Sequence, residues 1–333
     1  MINGTLHPTD KPSQRIILSG KNLPGGSDGL RFDADAKANT SGSGSIVLGL
    51  TIRSFRGSGI LIQNVSDVRV GGGGSGQGNL LVGNSAAGIS IMGETNIMAP
   101  APTVKNIVIV GNWIGADFSL YADPVGTNAN QSNGWGINIV GNSVSDVYIG
   151  LPGLAQANAI LNNLYSGIYI QSANNVTVMN NFVGLGPGAQ SGLGSGEEGI
   201  KSSYETSLVI GGVMKTTPQG WPDEAANVIS NNRGEGIYIV ATPGVLDTTA
   251  NNLVKGNFIG LEMDGKTPAP NLFGIRVENT KSVTIGDSVN GGGNVVSGNL
   301  SDGIQIVNSK SKVKKMIGGK KMVRVEPATK GKG

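Results

Sequence analysis

Residues 227–260 read NVISNNRGEGIYIVATPGVLDTTANNLVKGNFIG, and this stretch decides the fold of the chain. Three short apolar runs follow one another in it, and Gly or Asn bounds each run. Similar text begins at Asn79, Asn158 and Asn294, so the stretch is one unit of an internal repeat. A unit that recurs along most of a chain predicts a solenoid, in which each coil packs on its neighbours.

The pattern inside each unit predicts short β strands instead of helices. Apolar residues alternate, β-branched types dominate, and Gly or Asn intervenes before a helical turn could propagate. A Gly-apolar-x-apolar signature recurs at Gly29, Gly59, Gly88, Gly136, Gly167, Gly199, Gly236, Gly274 and Gly303. We predict an all-β, single-domain parallel β-helix with three short strands per coil and about nine coils. In this helix Ile237 and Ile239 point inward, and Tyr238 points outward.

The composition agrees with a turn-rich β protein and limits its chemistry. The 333 residues include 55 Gly and no Cys, which excludes disulfide and thiolate chemistry. Residues 310–333 hold nine Lys or Arg and one Glu, a charge of 9 − 1 = +8, so the rest carries 3 − 8 = −5. We interpret this basic end as solvated, and nucleic acid is therefore not an expected partner. No apolar run has membrane-spanning length, so membrane insertion is not expected either.

The spacing of the signature divides the chain into three segments. We predict that residues 29–318 form the β-helix and that residues 319–333 form a basic C-terminal tail. Residues 1–28 are predicted to be an N-terminal edge segment, with an incomplete first coil as the alternative. Long insertions follow the phrase N-[WF]-[IV]-G at Asn112, Asn181 and Asn257, so they are expected on one side of the solenoid, at every second coil.

Asparagines recur at the end of the strand that precedes each signature. Asn84, Asn162/Asn163, Asn231/Asn232 and Asn299 occupy this place. Asn tolerates left-handed backbone, and stacked amides can hydrogen-bond to one another. These residues are therefore predicted to form a structural ladder.

The repeat resembles that of a known family. The alternation of NVISNN, GEGIYI and NNLVKGNFIG with LFGIRVEN (272–279) and SVTIGD (282–287) is similar to the right-handed parallel β-helix repeat of the pectin-lyase-like superfamily. More narrowly, it resembles the Asn/Gly-rich repeats of bacterial extracellular and cell-surface β-helix proteins. The resemblance covers about residues 29–318 and implies a right-handed helix in an extracellular or cell-surface location.

Members of that superfamily include pectate lyases, polygalacturonases, alginate epimerases and phage tailspikes, so their chemistry can be sought in the outward-facing residues. Hydrolysis would need paired carboxylates, normally near a histidine, and the only histidine is His7, outside the repeats. Lyase chemistry would need a base and carboxylates that hold Ca²⁺. The predicted outward column reads Arg31, Leu61, Ser90, Asn138, Tyr169, Lys201, Tyr238, Arg276 and Gln305, without a carboxylate.

No catalytic residue, metal ligand or cofactor is predicted from these patterns. Asp28, Asp33 and Asp35 have the oxygen ligands of a hard cation but not the spacing of a known calcium loop. Glu197 and Glu198 are either half of an acid/base site or a solvated turn.

Within the outward column, Tyr169, Lys201, Tyr238 and Arg276 are the candidate binding residues. Aromatic and cationic side chains on a flat sheet could stack on sugar rings and pair with sugar carboxylates. The alternative is that they are ordinary residues of a β surface. Trp135 and Trp221 are further candidates for exposed contacts, whereas Trp113, Phe182 and Phe258 are expected to pack beneath the insertions.

We therefore predict a non-catalytic extracellular structural, adhesive or glycan-contacting module, whose partner is a polysaccharide or a cell-surface glycan. One alternative is a polysaccharide lyase or glycoside hydrolase with its site on the insertion loops. Another is a phage tailspike-like receptor-binding protein, which would be a trimer. End-to-end self-association is also compatible with the repeat.

Overall fold

The computed structural model describes residues 1–4, 16–34, 42–94, 103–116, 132–186, 193–203, 207–213, 225–241, 251–280, 283–289 and 291–307. Within these ranges the chain forms 27 β strands, numbered β1 to β27 in chain order, and one short 3-10 helix, Leu154–Gln156. No helix in the described ranges is long and apolar enough to cross a membrane. His7, Asp35, Trp221 and the predicted tail (319–333) lie outside the described residues.

The strands form three sheets, here called A, B and C. Sheet A contains β1 (Ile2–Asn3), β4 (Ile46–Leu48), β7 (Arg69–Val70), β10 (Val104–Ile109), β13 (Val144–Ile149), β16 (Asn174–Val178), β19 (Val209–Ile210), β22 (Asn252–Val254) and β25 (Val283–Ile285). Sheet B contains β2 (Ile17–Ser19), β5 (Thr51–Arg53), β8 (Leu80–Val82), β11 (Trp113–Ile114), β14 (Asn158–Ile160), β17 (Asn181–Val183), β20 (Val228–Ile229), β23 (Phe258–Ile259) and β26 (Val295–Val296). Sheet C contains β3 (Leu30–Asp33), β6 (Ile60–Gln63), β9 (Ala87–Met92), β12 (Trp135–Val140), β15 (Ile168–Gln171), β18 (Ile200–Ser203), β21 (Ile237–Val240), β24 (Ile275–Glu278) and β27 (Ile304–Val307).

Each strand pairs in parallel with the strand three places along the chain. Strand β21, for example, lies between β18 and β24, with Tyr238 opposite Lys201 on one side and Arg276 on the other. The described residues therefore form a right-handed parallel β-helix of nine coils with three strands per coil, as the repeat predicts. Strands β1 and β2 precede residue 29 and pair with β4 and β5, so these two strands contribute to the first coil.

The interior of the helix is a stack of aliphatic side chains. In sheet C the first inward position of successive coils is isoleucine and fully buried: Ile60, Ile89, Ile137, Ile168, Ile200, Ile237 and Ile275. The residue between the two inward positions points out, which confirms the orientation predicted for β21. Burial of this continuous column stabilises each coil against its two neighbours.

Buried asparagines form ladders at two corners of the helix. The corner between sheets A and B carries Nδ2–H···Oδ1 bonds of 2.8–3.1 Å through Asn79, Asn112, Asn158, Asn181, Asn227, Asn257 and Asn294. The corner between sheets B and C carries bonds of 3.0–3.1 Å from Asn84 to Asn133 to Asn163, and again from Asn232 to Asn271 to Asn299. This B–C ladder confirms the predicted one; sequence reasoning did not find the A–B ladder.

The phrases that precede the long insertions lie on one side of the helix. The three N-[WF]-[IV]-G phrases lie at β11, β17 and β23, which are alternate strands of sheet B. Residues 117–131 and 187–192 of the insertions lie outside the described residues, so the placement of the insertions stays a prediction. Outside this sheet, Leu185, Met263 and Ala269 pack on Phe182 and Phe258 in a second apolar cluster. For Phe182 and Phe258, the expectation that they lie beneath insertions is thereby confirmed. Among the described residues, this second cluster includes no residue of sheet C.

Candidate functional site

The candidate site is the outer face of sheet C, hereafter the C face. The nine residues predicted to share the outward column lie in register on β3, β6, β9, β12, β15, β18, β21, β24 and β27. Neighbouring members of a parallel sheet column are about 4.8 Å apart along the helix axis. The four candidate binding residues therefore occupy four consecutive coils of one flat surface.

At one end of this series lies a group of three aromatic rings, which we call the aromatic tier: Trp135, Tyr165 and Tyr169. The Trp135 ring lies 4.8 Å from the Tyr165 ring and 6.1 Å from the Tyr169 ring, measured between centroids, with tilts of 41° and 32°. Tyr165 is 42% exposed. The three residues belong to two neighbouring coils, and the strand pairing brings them together.

The other end is a network of charged side chains around Tyr238, which we call the charged tier. Lys201 Nζ lies 5.5 Å from the centre of the Tyr238 ring, and Arg276 Cζ lies 5.3 Å from it on the next coil. The Tyr238 hydroxyl donates a 2.9 Å hydrogen bond to Glu278. The predicted alternation of cation and aromatic ring is thus a continuous cation–π stack across three coils.

Each cation of the charged tier is paired with a carboxylate. Lys201 donates to Glu198 at 2.8 Å, and Glu198 also accepts a 2.7 Å bond from the buried Ser166 hydroxyl. Arg276 donates to Glu235 at 3.1 Å and to Glu278 at 3.0 Å. The network is half-buried, so these pairs are more strongly coupled than freely exposed ion pairs.

These contacts change the acid strengths of the charged tier. Burial, the hydrogen bond to Glu278 and the charge of that carboxylate raise the pKa of Tyr238 to about 12. The pKa of Lys201 is also raised. Burial alone would lower this pKa, but the hydrogen bond to Glu198 and the charge of Glu198 raise it by more. Arg276 behaves in the same way, because Glu235 and Glu278 raise its pKa more than burial lowers it. All three groups keep their protons at neutral pH.

Sequence reasoning singled out Glu198 but did not place it beside Lys201, and it missed Glu235 and Glu278. Glu198 and Glu235 lie one residue before a signature glycine, and Glu278 lies two residues after an outward cation, so all three flank the column and none belongs to it. The sequence does contain a signal for Glu198 and Glu235, because Asp28 and Asp302 also lie one residue before a signature glycine. They pair with Arg31 at 3.8 Å and with Gln305 at 3.0 Å in their own coils.

The structure assigns other candidates to structural pairs. Asp33 accepts from Arg31 at 2.9 Å and from Asn64 at 3.1 Å. No group of three or more His, Cys, Asp or Glu that could hold a metal ion occurs among the described residues. Of the two glutamates at 197 and 198, Glu198 is the buried partner of Lys201 and Ser166.

Together, the geometry defines a parallel β-helix whose C face offers aromatic rings beside an internally paired set of charges. Such a surface can stack on a flat ring and exchange hydrogen bonds with hydroxyl groups. It is extended along the helix axis, which suits a chain-like ligand better than a small one.

No protein-family model matches the sequence, and no curated protein sequence matches it. Two solved structures are similar, both of them A-modules of mannuronan C-5 epimerases from Azotobacter vinelandii. The AlgE6 module has a TM-score of 0.38 and 16% identity over 80% of this chain and 58% of that chain. The AlgE4 module has a TM-score of 0.39 and 13% identity over 90% of this chain and 76% of that chain. The chain spans 58% of the length of the AlgE6 module.

Proposed function

We propose that the C face binds polysaccharide without changing it chemically, in an extracellular or cell-surface setting. The observation that carries this proposal is the aromatic tier, in which three rings from two coils lie together on an outer face. Large aromatic side chains that cluster on a surface are typical of recognition sites, because their burial by a ligand is favourable. Sugar rings present flat C–H faces that match such a platform.

The charged tier supports binding more than catalysis. A general base needs a pKa near the working pH. The pKa of Tyr238 is raised to about 12, far above a neutral working pH. Glu198, Glu235 and Glu278 are held by cations at 2.8–3.1 Å. These groups are suited to hold fixed hydrogen-bonding positions for sugar hydroxyls.

The proposal can be tested with a panel of soluble uncharged and uronate polysaccharides, with retention followed by affinity electrophoresis. We expect Trp135→Ala and Tyr169→Ala each to weaken binding about tenfold, because an aromatic contact of this kind is worth about 1 kcal/mol or more. Tyr148→Ala is the matched control, since Tyr148 is a half-buried outward tyrosine on sheet A. An equal loss of binding in Tyr148→Ala, or no loss of binding in Trp135→Ala and Tyr169→Ala, would contradict the proposal.

Catalysis is tested on the same panel by following unsaturated products and reducing ends. We expect no turnover. Turnover that Glu198→Gln abolishes would favour the lyase or hydrolase alternative, although the described parts of the insertions pack over sheet B, away from the C face. The tailspike-like alternative and end-to-end association stay predictions, and sedimentation of a monomer would exclude the trimer.

A further inference from the structure

We infer that the carboxylates of the C face select uncharged polysaccharide over anionic polysaccharide. The inference rests on the proposed function and names the class of glycan that the same surface takes. It also departs from the sequence-based expectation that Lys201 and Arg276 pair with sugar carboxylates.

The charge of the C face is the first argument. The outward column carries three cations, Arg31, Lys201 and Arg276. The flanking positions carry six carboxylates: Asp28, Asp33, Glu198, Glu235, Glu278 and Asp302. The formal sum is 3 − 6 = −3, so a chain of uronates would meet a surface of its own sign.

The second argument is that the cations already have partners. Lys201 contacts Glu198 at 2.8 Å, and Arg276 contacts two glutamates at 3.0 Å and 3.1 Å. The Nε atom of Arg276 has no hydrogen-bond partner among the described residues, but this atom is buried. An incoming uronate would have to displace a protein carboxylate and leave a largely buried negative charge unpaired.

An uncharged sugar avoids this competition. Its hydroxyls can donate to the remaining lone pairs of the carboxylates, since an ionised carboxylate has about four acceptor sites and the ion pairs use only part of them. Its ring can stack on the aromatic tier at the same time. The two tiers therefore favour the same class of ligand.

The test compares the wild-type protein with Glu235→Gln/Glu278→Gln, which removes two charges and frees Arg276. The control is Glu262→Gln/Asp287→Asn, which removes two charges elsewhere and frees Lys255 from its 2.9 Å contact with Asp287. Probes are a mixed-linkage β-glucan and a galactomannan, which are uncharged, and polygalacturonate and polymannuronate, which are anionic. Thermal unfolding establishes that each variant folds.

We call Glu235→Gln/Glu278→Gln the C face variant. We expect it to bind the anionic probes at least about tenfold more tightly than the wild type at low salt. This gain should disappear at about 1 M salt, where screening acts within about 3 Å. Binding of the uncharged probes should not rise with it, because the variant loses two carboxylates that accept hydrogen bonds from sugar hydroxyls, and the control should show no gain with either class of probe.

The outcomes separate this inference from the proposed function. If the wild type prefers the anionic probes, the inference is wrong and the proposed function stands. If the wild type binds no probe but the C face variant gains anion binding, the proposed function is wrong and the carboxylates still exclude anions. If the C face variant gains nothing over the control, the inference is wrong in either case.

Discussion

At the scale of single residues, the signature glycine and the B–C ladder explain each other. A Cβ atom on Gly236 would lie 2.8 Å from the Gly274 carbonyl oxygen and 2.9 Å from Nδ2 of Asn271. Real Cβ atoms do not approach other atoms so closely, so the glycine leaves the space that the ladder amide of the next coil fills. The same contact, at 2.8–3.2 Å, recurs at Gly59, Gly88, Gly136, Gly199 and Gly274. The recurring glycine and the recurring asparagine, which are separate signals in the sequence, thus form one packing unit.

Ser195 interrupts this ladder. It stands between Asn163 and Asn232, it is fully buried, and its Oγ has no partner among the described residues. Its backbone N–H still donates to Asn232 Oδ1 at 3.2 Å, so the ladder geometry is kept. Gly167 faces Ser195 as the other signature glycines face the ladder amides, because a Cβ atom on Gly167 would lie 3.3 Å from Ser195 Oγ.

We therefore expect Ser195→Asn to stabilise the protein by about 1 kcal/mol, because it adds ladder hydrogen bonds and removes an unsatisfied buried hydroxyl. The measurement is the midpoint of denaturant unfolding. Ser195→Ala is the control: it removes the hydroxyl without adding an amide and should change stability less. A lower midpoint for Ser195→Asn than for wild type would show that the site is too small for the amide.

At the scale of elements, contacts between coils join the C face across its strands, in addition to the contacts within each coil. Tyr238 on β21 and Glu278 on β24 are partners across 40 positions of sequence. Because the pKa of Tyr238 is raised from 10.0 to about 12, the folded state binds this proton more tightly than the unfolded state. The resulting stability is complete below pH 10 and is lost as the pH rises through about 12.

Glu278→Gln should lower the pKa of Tyr238 from about 12 towards its ordinary value of 10.0, because it removes the carboxylate charge that disfavours the phenolate. The pKa is measured from phenolate absorbance, and the difference spectrum against Tyr238→Phe isolates this tyrosine from the other five. Glu262→Gln should leave the titration unchanged. An unshifted Tyr238 in Glu278→Gln would mean that the hydrogen bond does not form in solution.

The sequence predicted the column on this face but not its surroundings, and the reason is geometric. Each column member sits two residues after a signature glycine, so aligning the glycines aligns the column. The partners of Arg276 do not follow this rule: Glu278 is in its own coil, whereas Glu235 lies 41 residues earlier, two residues before β21 begins. Tyr165 is in a corner, and only the chain path brings its ring to Trp135. Contacts made by residues at corners and strand ends therefore could not be predicted from the repeat alone.

At the scale of the whole molecule, stability is distributed along one axis. Every described coil is covered by a coil on each side except the first and the last. The inward isoleucines show the consequence, since Ile200 in a central coil is fully buried, whereas Ile304 in the last described coil is only half-buried. Solenoid stability is approximately a sum of coil terms and nearest-neighbour terms, so a central defect removes two interfaces and a terminal defect removes one.

Ile200→Ala should therefore cost about 2–5 kcal/mol, the range for a buried isoleucine truncated in a core, and Ile304→Ala should cost clearly less. Val209→Ala, at an outward half-buried position on sheet A, is the control and should cost least. The measurement is denaturant unfolding followed by circular dichroism and by tyrosine fluorescence. A central cavity should also weaken coupling between the two halves, so that the two probes report different midpoints in Ile200→Ala but the same midpoint in Ile304→Ala. Equal costs for the two isoleucines would mean that the last described coil is as well supported as the central ones.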